Sequence, residues 1–111
     1  MLKKHTGTRV TVFAVWEPIL MTDMQRPGTS IMARIGDPRV RQFWDPDHAV
    51  AAAMKAGLKT RPDCCESDGV LWDLAAVYAP GALWRDTLPE PVFIDGTIVK
   101  AQAGLESVIE R

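Results

Sequence analysis

The pattern of apolar and polar positions in the first half of the chain predicts two strands separated by a loop and a short helix. Residues 9–16 (RVTVFAVW) and 39–44 (RVRQFW) are rich in β-branched and aromatic residues, which is typical of strands. The first run has so little polar alternation that we expect a central strand buried on both faces. Between them, residues 22–28 predict a loop or a loose helical turn. Thr29 or Ser30 is expected to cap a short helix through residues 31–35, which Gly36 ends.

The helix over residues 49–56 is the most strongly marked element. Its apolar residues recur at helical spacing on one face, and Gly57 follows as a stop signal. Asp45 is expected to cap the helix, and Pro46 is expected to take its first position, where the missing N–H is not needed.

The second half of the chain predicts three strands and a closing helix. Residues 70–78 (VLWDLAAVY) fit a helical stripe as well as one face of a strand, and their aromatic content and flanking glycine and proline favour a strand. Residues 91–99 predict a hairpin whose Asp95-Gly96 turn is of type I′. Residues 100–111 predict the helix that ends the chain.

The resulting element order, β-α-β-α-β-β-β-α, is that of an α/β domain, and 111 residues suit one domain spanning residues 1–111. No apolar run approaches the roughly 20 residues that cross a bilayer. Lys3 and Lys4 are not followed by the apolar stretch that a signal peptide needs. The sequence therefore predicts a cytoplasmic protein with no membrane partner.

Charge is unevenly distributed, although the net charge is −1. Residues 1–62 hold ten Lys and Arg against five Asp and Glu, whereas residues 63–111 hold three against nine. Because the two halves would interleave in a compact domain, this asymmetry indicates charge matching within the protein or between subunits. No stacking aromatic motif accompanies the arginines, so nucleic acid is not expected as a partner.

Three stretches carry a resemblance to a known family: residues 12–18 (VFAVWEP), 43–51 (FWDPDHAVA) and 88–96 (LPEPVFIDG). They look like the first core strand, a strand-to-helix turn and the cis-proline segment of the thioredoxin-like superfamily, especially its TlpA and peroxiredoxin-related branch. The resemblance implies a three-layer sandwich, with a central mixed sheet of about four to five strands and flanking helices. It also implies that Pro89 is the cis-proline facing the active site.

The redox motif of that family is missing from this chain. Counting from Trp16, Leu20 and Asp23 stand where the family has its two cysteines, which excludes dithiol exchange at that place. We therefore expect a redox-inactive binding module rather than an enzyme, with no cofactor or metal. Trp16, Asp23 and Pro89 would line its groove for a protein or small-molecule partner, and an exposed strand edge would also allow a homodimer.

The adjacent pair Cys64-Cys65 supports an alternative function. The pair falls in a predicted polar loop, residues 58–69, and a reducing cytoplasm would keep both residues as thiols. Adjacent thiols can bind a soft metal ion, react with oxidants or close a vicinal disulfide. The alternative is therefore a thiol-dependent redox or soft-metal-binding protein. The acidic neighbours Asp63, Glu66 and Asp68 argue against a reactive thiolate, because negative charge raises the pKa of a thiol.

A third hypothesis is an acid/base site at Glu17, Asp23 and His48. It rests on these side chains falling where the related family keeps its chemistry, and a fold alone does not establish an activity. The simpler interpretation of His48 is a surface or capping residue near the start of a helix.

Overall fold

The structure, a computed structural model, describes residues 7, 9–18, 28, 33, 35–59, 64–67, 69–85 and 87–110. The chain divides into two compact units, Met1–Ala49 and Val50–Arg111, and each is described by itself. No helix within the described ranges combines the length and the apolar character that crossing a membrane requires. The single domain, the cytoplasmic location and the predicted partners stay predictions.

The first unit contains two parallel strands. Strand β1 (Val12–Trp16) pairs with β2 (Val40–Trp44), so that Val12 lies opposite Val40 and Trp16 opposite Trp44. Both predicted strands are therefore confirmed, with β1 beginning three residues later than expected. Of the helix predicted through residues 31–35, only Ala33 and Ile35 are among the described residues, and most of the 22–28 segment lies outside them.

The prediction that β1 is buried on both faces is wrong. Residues along β1 and β2 alternate between half-buried and exposed, and the exposed face carries Phe13, Val15 and Phe43. The rings of Phe13 and Phe43 lie 5.9 Å apart between centroids. A run of apolar residues has the same sequence pattern in a strand buried on both faces and in a strand with one exposed apolar face. The sequence alone therefore could not distinguish these two cases.

Helix α1 (Ala49–Ala56) follows β2 and confirms the predicted helix. Asp45 does bond to its start, because Oδ1 of Asp45 accepts a hydrogen bond from the backbone N–H of Ala49 at 2.9 Å. The predicted place of Pro46 is wrong, since Pro46 lies in a turn and the helix begins three residues later. Gly57 ends the helix and donates its N–H to carbonyl groups of the last turn.

The second unit contains most of α1, two antiparallel ladders and a second helix. Strands β3 (Glu66–Ser67) and β4 (Val70–Leu71) form one ladder, and β5 (Leu74–Val77) and β6 (Phe93–Gly96) form the other. Helix α2 (Ile98–Ile109) packs against β5 and β6. The segment 70–78 is thus strand rather than helix, although Trp72 and Asp73 divide it into two strands. Among the described residues of this unit, the buried apolar side chains are Ala51, Leu71 and Ala101.

The predicted hairpin over residues 91–99 is wrong. Asp95 and Gly96 are strand residues that pair with Ala75 and Leu74, and no type I′ turn forms between them. The chain then enters α2 at Ile98, where the predicted second strand of the hairpin should lie. Pairing with β5, a partner distant in sequence, has overridden the local Asp-Gly turn signal.

Within the described residues, the strands form three two-stranded sheets and the fold class is α/β. The described elements run β-β-α-β-β-β-β-α, whereas the expected order has a helix between the first two strands. The central sheet of four to five strands implied by the thioredoxin resemblance is not confirmed and stays a prediction.

Candidate functional site

The three residues predicted to line a binding groove are not shown to form one. Trp16 ends β1 half-buried, and its Nε1 donates a hydrogen bond to Oε1 of Gln42 at 3.0 Å. Pro89 is exposed in the second unit. The peptide bond between Leu88 and Pro89 is trans, so the cis-proline implied by the resemblance is wrong. Asp23 lies outside the described residues.

Cys64 and Cys65 are joined by a disulfide. The expectation that both rest as thiols is therefore wrong for this structure, and the vicinal disulfide, one of the states considered for the pair, is the one present. Both residues are half-buried just before β3. The carbonyl of Cys65 accepts a hydrogen bond from the N–H of Trp72 at 2.9 Å, which extends the β3–β4 ladder by one bond. The pair is thus anchored to the ladder.

The sulfur of Cys65 packs against the backbone of Gly96. A Cβ atom at position 96 would lie 2.8 Å from Sγ of Cys65 and 2.5 Å from the carbonyl oxygen of Asp73. Gly96 is buried, so only a hydrogen atom fits between these groups. The glycine at position 96 was the feature of the sequence that could have indicated this contact. The Asp95-Gly96 pattern instead predicts a type I′ turn at that glycine.

Gly96 lies two residues before the first residue of α2. The backbone N–H of Ile98 donates a hydrogen bond to Oδ1 of Asp73 at 3.1 Å, and this bond satisfies one amide of the first turn. Cys65 therefore packs beside the segment that leads into α2.

The negative charge next to the cysteine pair is partly balanced by Lys55. Its Nζ lies 3.7 Å from Oε1 of Glu66 and donates a hydrogen bond to the carbonyl of Gly69 at 2.8 Å. Lys55 belongs to α1, so no pattern in the sequence around the cysteines indicates that this cation lies beside Glu66. Of the other acidic neighbours, Asp63 and Asp68 lie outside the described residues.

A second cluster of functional groups lies at the ends of β1 and β2. Glu17 directly follows β1, and Asp45 directly follows β2. Because the strands are parallel neighbours, their carboxyl ends meet at one edge, which is where open α/β sheets bind ligands. The N–H of Asp45 donates to the carbonyl of Trp16 at 2.7 Å and continues the pairing past the last strand residues.

His48 is brought to Glu17 although 31 positions separate them in sequence. Nδ1 of His48 lies 3.0 Å from Oε2 of Glu17, and the two side chains are 28% and 12% exposed. Burial raises the pKa of Glu17, the hydrogen bond to His48 opposes that rise, and the nearby charge of Asp45 adds to it. Two members of the third hypothesis are therefore in contact, while its third member, Asp23, lies outside the described residues.

No family model matches this chain, and comparisons with curated proteins and with solved structures also find no match. Among the described residues, no group of three or more His, Cys, Asp or Glu side chains is arranged to hold a metal ion.

Proposed function

We propose that this chain is a thiol-dependent redox protein that acts through the reversible Cys64–Cys65 disulfide, on a scaffold of the thioredoxin-like type. The single observation that carries the proposal is the bond between the two neighbouring sulfurs, half-buried beside Gly96. The resemblance of the strand and turn segments to the thioredoxin-like superfamily supports the scaffold. The displaced position of the cysteines distinguishes this chain from that family's usual redox site.

The proposed reaction is thiol–disulfide exchange with a low-molecular-weight disulfide of the cytoplasm. One cysteine thiolate attacks a sulfur of that disulfide, forming a mixed disulfide and releasing one small thiol. The neighbouring cysteine then displaces the second small thiol and closes the Cys64–Cys65 bond. The protein loses two electrons and two protons, and the small disulfide gains them as two thiols.

The structure supports different roles for the two cysteines in the reverse reaction. Exchange requires the attacking thiolate to reach the sulfur that it bonds to. Sγ of Cys65 packs against the buried backbone of Gly96, which covers one side of that sulfur. We therefore infer that a reducing thiol attacks Cys64 and that Cys65 leaves.

Thiol counting in buffers of defined redox potential tests this proposal. After full reduction, a thiol alkylating reagent should label both cysteines, and after equilibration with an excess of a small disulfide it should label neither. The oxidised proteolytic peptide that carries Cys64 and Cys65 should be lighter than the reduced peptide by two hydrogen atoms. Cys64→Ser and Cys65→Ser are the matched controls and should instead accumulate the mixed disulfide. Two cysteines that remain open to alkylation after oxidation would overturn the proposal.

A second candidate function, a non-catalytic binding module, is favoured by the exposed apolar face of β1 and β2. Phe13 is 61% exposed and Phe43 is 47% exposed, and Val15 lies on the same face. Covering such side chains stabilises a complex by about 1.5–3 kcal/mol for each one fully buried. With a net charge of only −1, two copies repel each other little, so the partner that we propose for this face is a second copy of the chain.

Analytical ultracentrifugation over a range of protein concentrations tests the dimer. The wild type should dimerise, and Phe13→Ser and Phe43→Ser should remain monomeric at concentrations where the wild type is dimeric. Val99→Ser is the matched control, because Val99 is 84% exposed and lies in the other unit. A wild type that stays monomeric at every concentration contradicts this second candidate.

A further inference from the structure

The pair formed by Glu17 and His48 has the geometry of an oriented base. A neutral imidazole carries its proton on one ring nitrogen and accepts hydrogen bonds at the other. A carboxylate beside Nδ1 favours the proton on that nitrogen, which leaves Nε2 as the acceptor. Within the described residues, Nε2 has no hydrogen-bond partner, and the 28% exposure of the side chain leaves the ring within reach of solvent.

The backbone at His48 is held in an uncommon conformation. Its φ is +57°, in the left-handed region, where residues with a side chain are rare and histidine is one of the more tolerant types. Two hydrogen bonds to Asp45 stabilise this conformation. The backbone carbonyl of Asp45 accepts from the N–H of His48 at 3.4 Å, and its carboxylate accepts from the N–H of the following residue, Ala49. Such strain gathers at functional sites when the surroundings enforce it.

Burial completes the arrangement around the imidazole. Glu17, after β1, is 12% exposed, and Asp45, after β2, is 6% exposed. These are the two charged groups that the ends of the strands bring to His48. A partly buried carboxylate holds one ring orientation more firmly than a solvated one, because electrostatic interactions strengthen where water is excluded.

We propose that Glu17 and His48 form a general-base site, in which Glu17 orients the ring and Nε2 of His48 removes a proton from water that attacks a small acyl ester. As the water oxygen bonds to the acyl carbon, its proton passes to Nε2. The alcohol leaves with the electron pair of the broken C–O bond and takes a proton from the imidazolium. The acid and the alcohol are the products, and His48 returns to its starting state. We assign an ester as the substrate class because its hydrolysis requires the attacking water to lose a proton. One positioned base can accelerate that proton transfer.

Hydrolysis of a p-nitrophenyl acetate probe tests the site. The wild type should turn over the probe more slowly in D₂O than in H₂O, since a proton moves in the rate-limiting step. His48→Gln should lower kcat/KM by about 100-fold, the lower end of what a positioned base contributes. His5→Gln, which removes the other histidine, is the matched control and should leave the rate unchanged.

Glu17 acts as a positioning residue, and its test reads kcat and KM separately. Glu17→Gln should lower kcat by about 10-fold and leave KM unchanged, because the neutral amide holds the ring less firmly than the carboxylate does. A structural defect alone would raise KM as well as lower kcat. Denaturation midpoints of each variant show whether it is folded.

Two measurements separate this site from the cysteine pair and from other histidine chemistry. The double variant Cys64→Ser/Cys65→Ser should hydrolyse the probe at the wild-type rate, and a loss of activity there would assign the reaction to the thiols and overturn the proposal. Nitrogen NMR of the wild type should show the His48 proton on Nδ1. A proton on Nε2, an acetyl group trapped on His48, or an unchanged rate in His48→Gln would each also overturn it.

Discussion

Gly96 is the residue at which the size of one side chain decides whether two segments can meet. The carbonyl of Asp73 and the sulfur of Cys65 both lie close to its backbone, and a Cβ atom would come within 2.5 Å and 2.8 Å of them. The nearer atom belongs to the backbone, which cannot rotate away as the end of a flexible side chain can. The contact therefore requires glycine for reasons of space.

We expect Gly96→Ala to lower the free energy of unfolding by about 1–3 kcal/mol, the usual effect of forcing an extra carbon atom into a packed site. Urea denaturation measures this loss. Gly36→Ala is the matched control, because a Cβ atom at position 36 meets no atom of the described residues within 4 Å. This substitution should change stability by less than about 1 kcal/mol. Equal effects of the two substitutions would contradict the steric account.

A second residue-scale feature, the ion pair of Asp37 and Arg39, makes stability depend on pH. Nη2 of Arg39 lies 2.6 Å from Oδ2 of Asp37, and Oδ1 accepts from both Nε and the backbone N–H of Arg39 at 2.9 Å. These bonds hold the pKa of Asp37 at about 2, below its usual value of 3.8. A lowered carboxylate pKa stabilises the folded state above pH 3.8, and that contribution is lost as the pH falls towards 2.

Asp37→Asn should therefore be less stable than the wild type at pH 7, and the difference should shrink between pH 4 and pH 2. Denaturation midpoints at pH 7, 4 and 2 measure it. Asp47→Asn, in the exposed turn, is the control for the loss of one negative charge. A difference between wild type and Asp37→Asn that persists unchanged at pH 2 would show that the carboxylate charge is not its source.

At the scale of the element, helix α2 depends on a residue 25 positions before it. Thr97 stands at its N-cap but makes no side-chain capping bond, and Oδ1 of Asp73 accepts from the N–H of Ile98 instead. Asp73 has φ of +48°, which aspartate and asparagine tolerate better than most residues. Asp73 therefore stabilises both its own turn and the first turn of the helix.

Asp73→Ala should lower the free energy of unfolding by about 1–2 kcal/mol, because it removes the cap and places alanine in a left-handed conformation. Asp73→Asn keeps an oxygen acceptor and the tolerance of positive φ, so its loss should stay below about 0.5 kcal/mol. Thermal or urea denaturation followed by circular dichroism separates the two. Similar losses for both variants would rule out the capping bond as the cause.

Elements whose residues are close in sequence were predictable, and contacts between distant residues were not. The runs that became β1, β2 and α1 carry their own apolar pattern, so their positions were predicted to within three residues. The predicted hairpin failed because Asp95 and Gly96 pair with β5 rather than with the residues that follow them. The Glu17–His48 contact likewise depends on the parallel register of two strands, which no local pattern encodes.

At the scale of the whole molecule, the four tryptophans divide evenly between the two units. Trp16 and Trp44 end β1 and β2, whereas Trp72 and Trp84 belong to the unit that contains the disulfide. The ring closed by neighbouring cysteines is the shortest that a disulfide can close, so chain entropy contributes only about 1 kcal/mol to stability. Reduction should therefore leave the protein folded.

This division yields a prediction about reduction that fluorescence can measure. The double variant Trp16→Phe/Trp44→Phe keeps Trp72 and Trp84. Its fluorescence emission should change when a reductant is added, because the backbone N–H of Trp72 bonds to the carbonyl of Cys65. Trp72→Phe/Trp84→Phe should not respond. Cys64→Ser/Cys65→Ser, which has no disulfide to reduce, is the control, and a response of equal size from both tryptophan variants would contradict the assignment.

The contact at Gly96 also limits how a defect there could be repaired by a second mutation. Of the two groups that crowd an alanine at position 96, one is a backbone carbonyl, which no codon change can remove. The other is the sulfur of Cys65, so the one side chain open to a genetic suppressor is half of the proposed redox pair. A selection for restored folding would then favour loss of that sulfur, and a selection for redox activity would favour restoring the glycine itself.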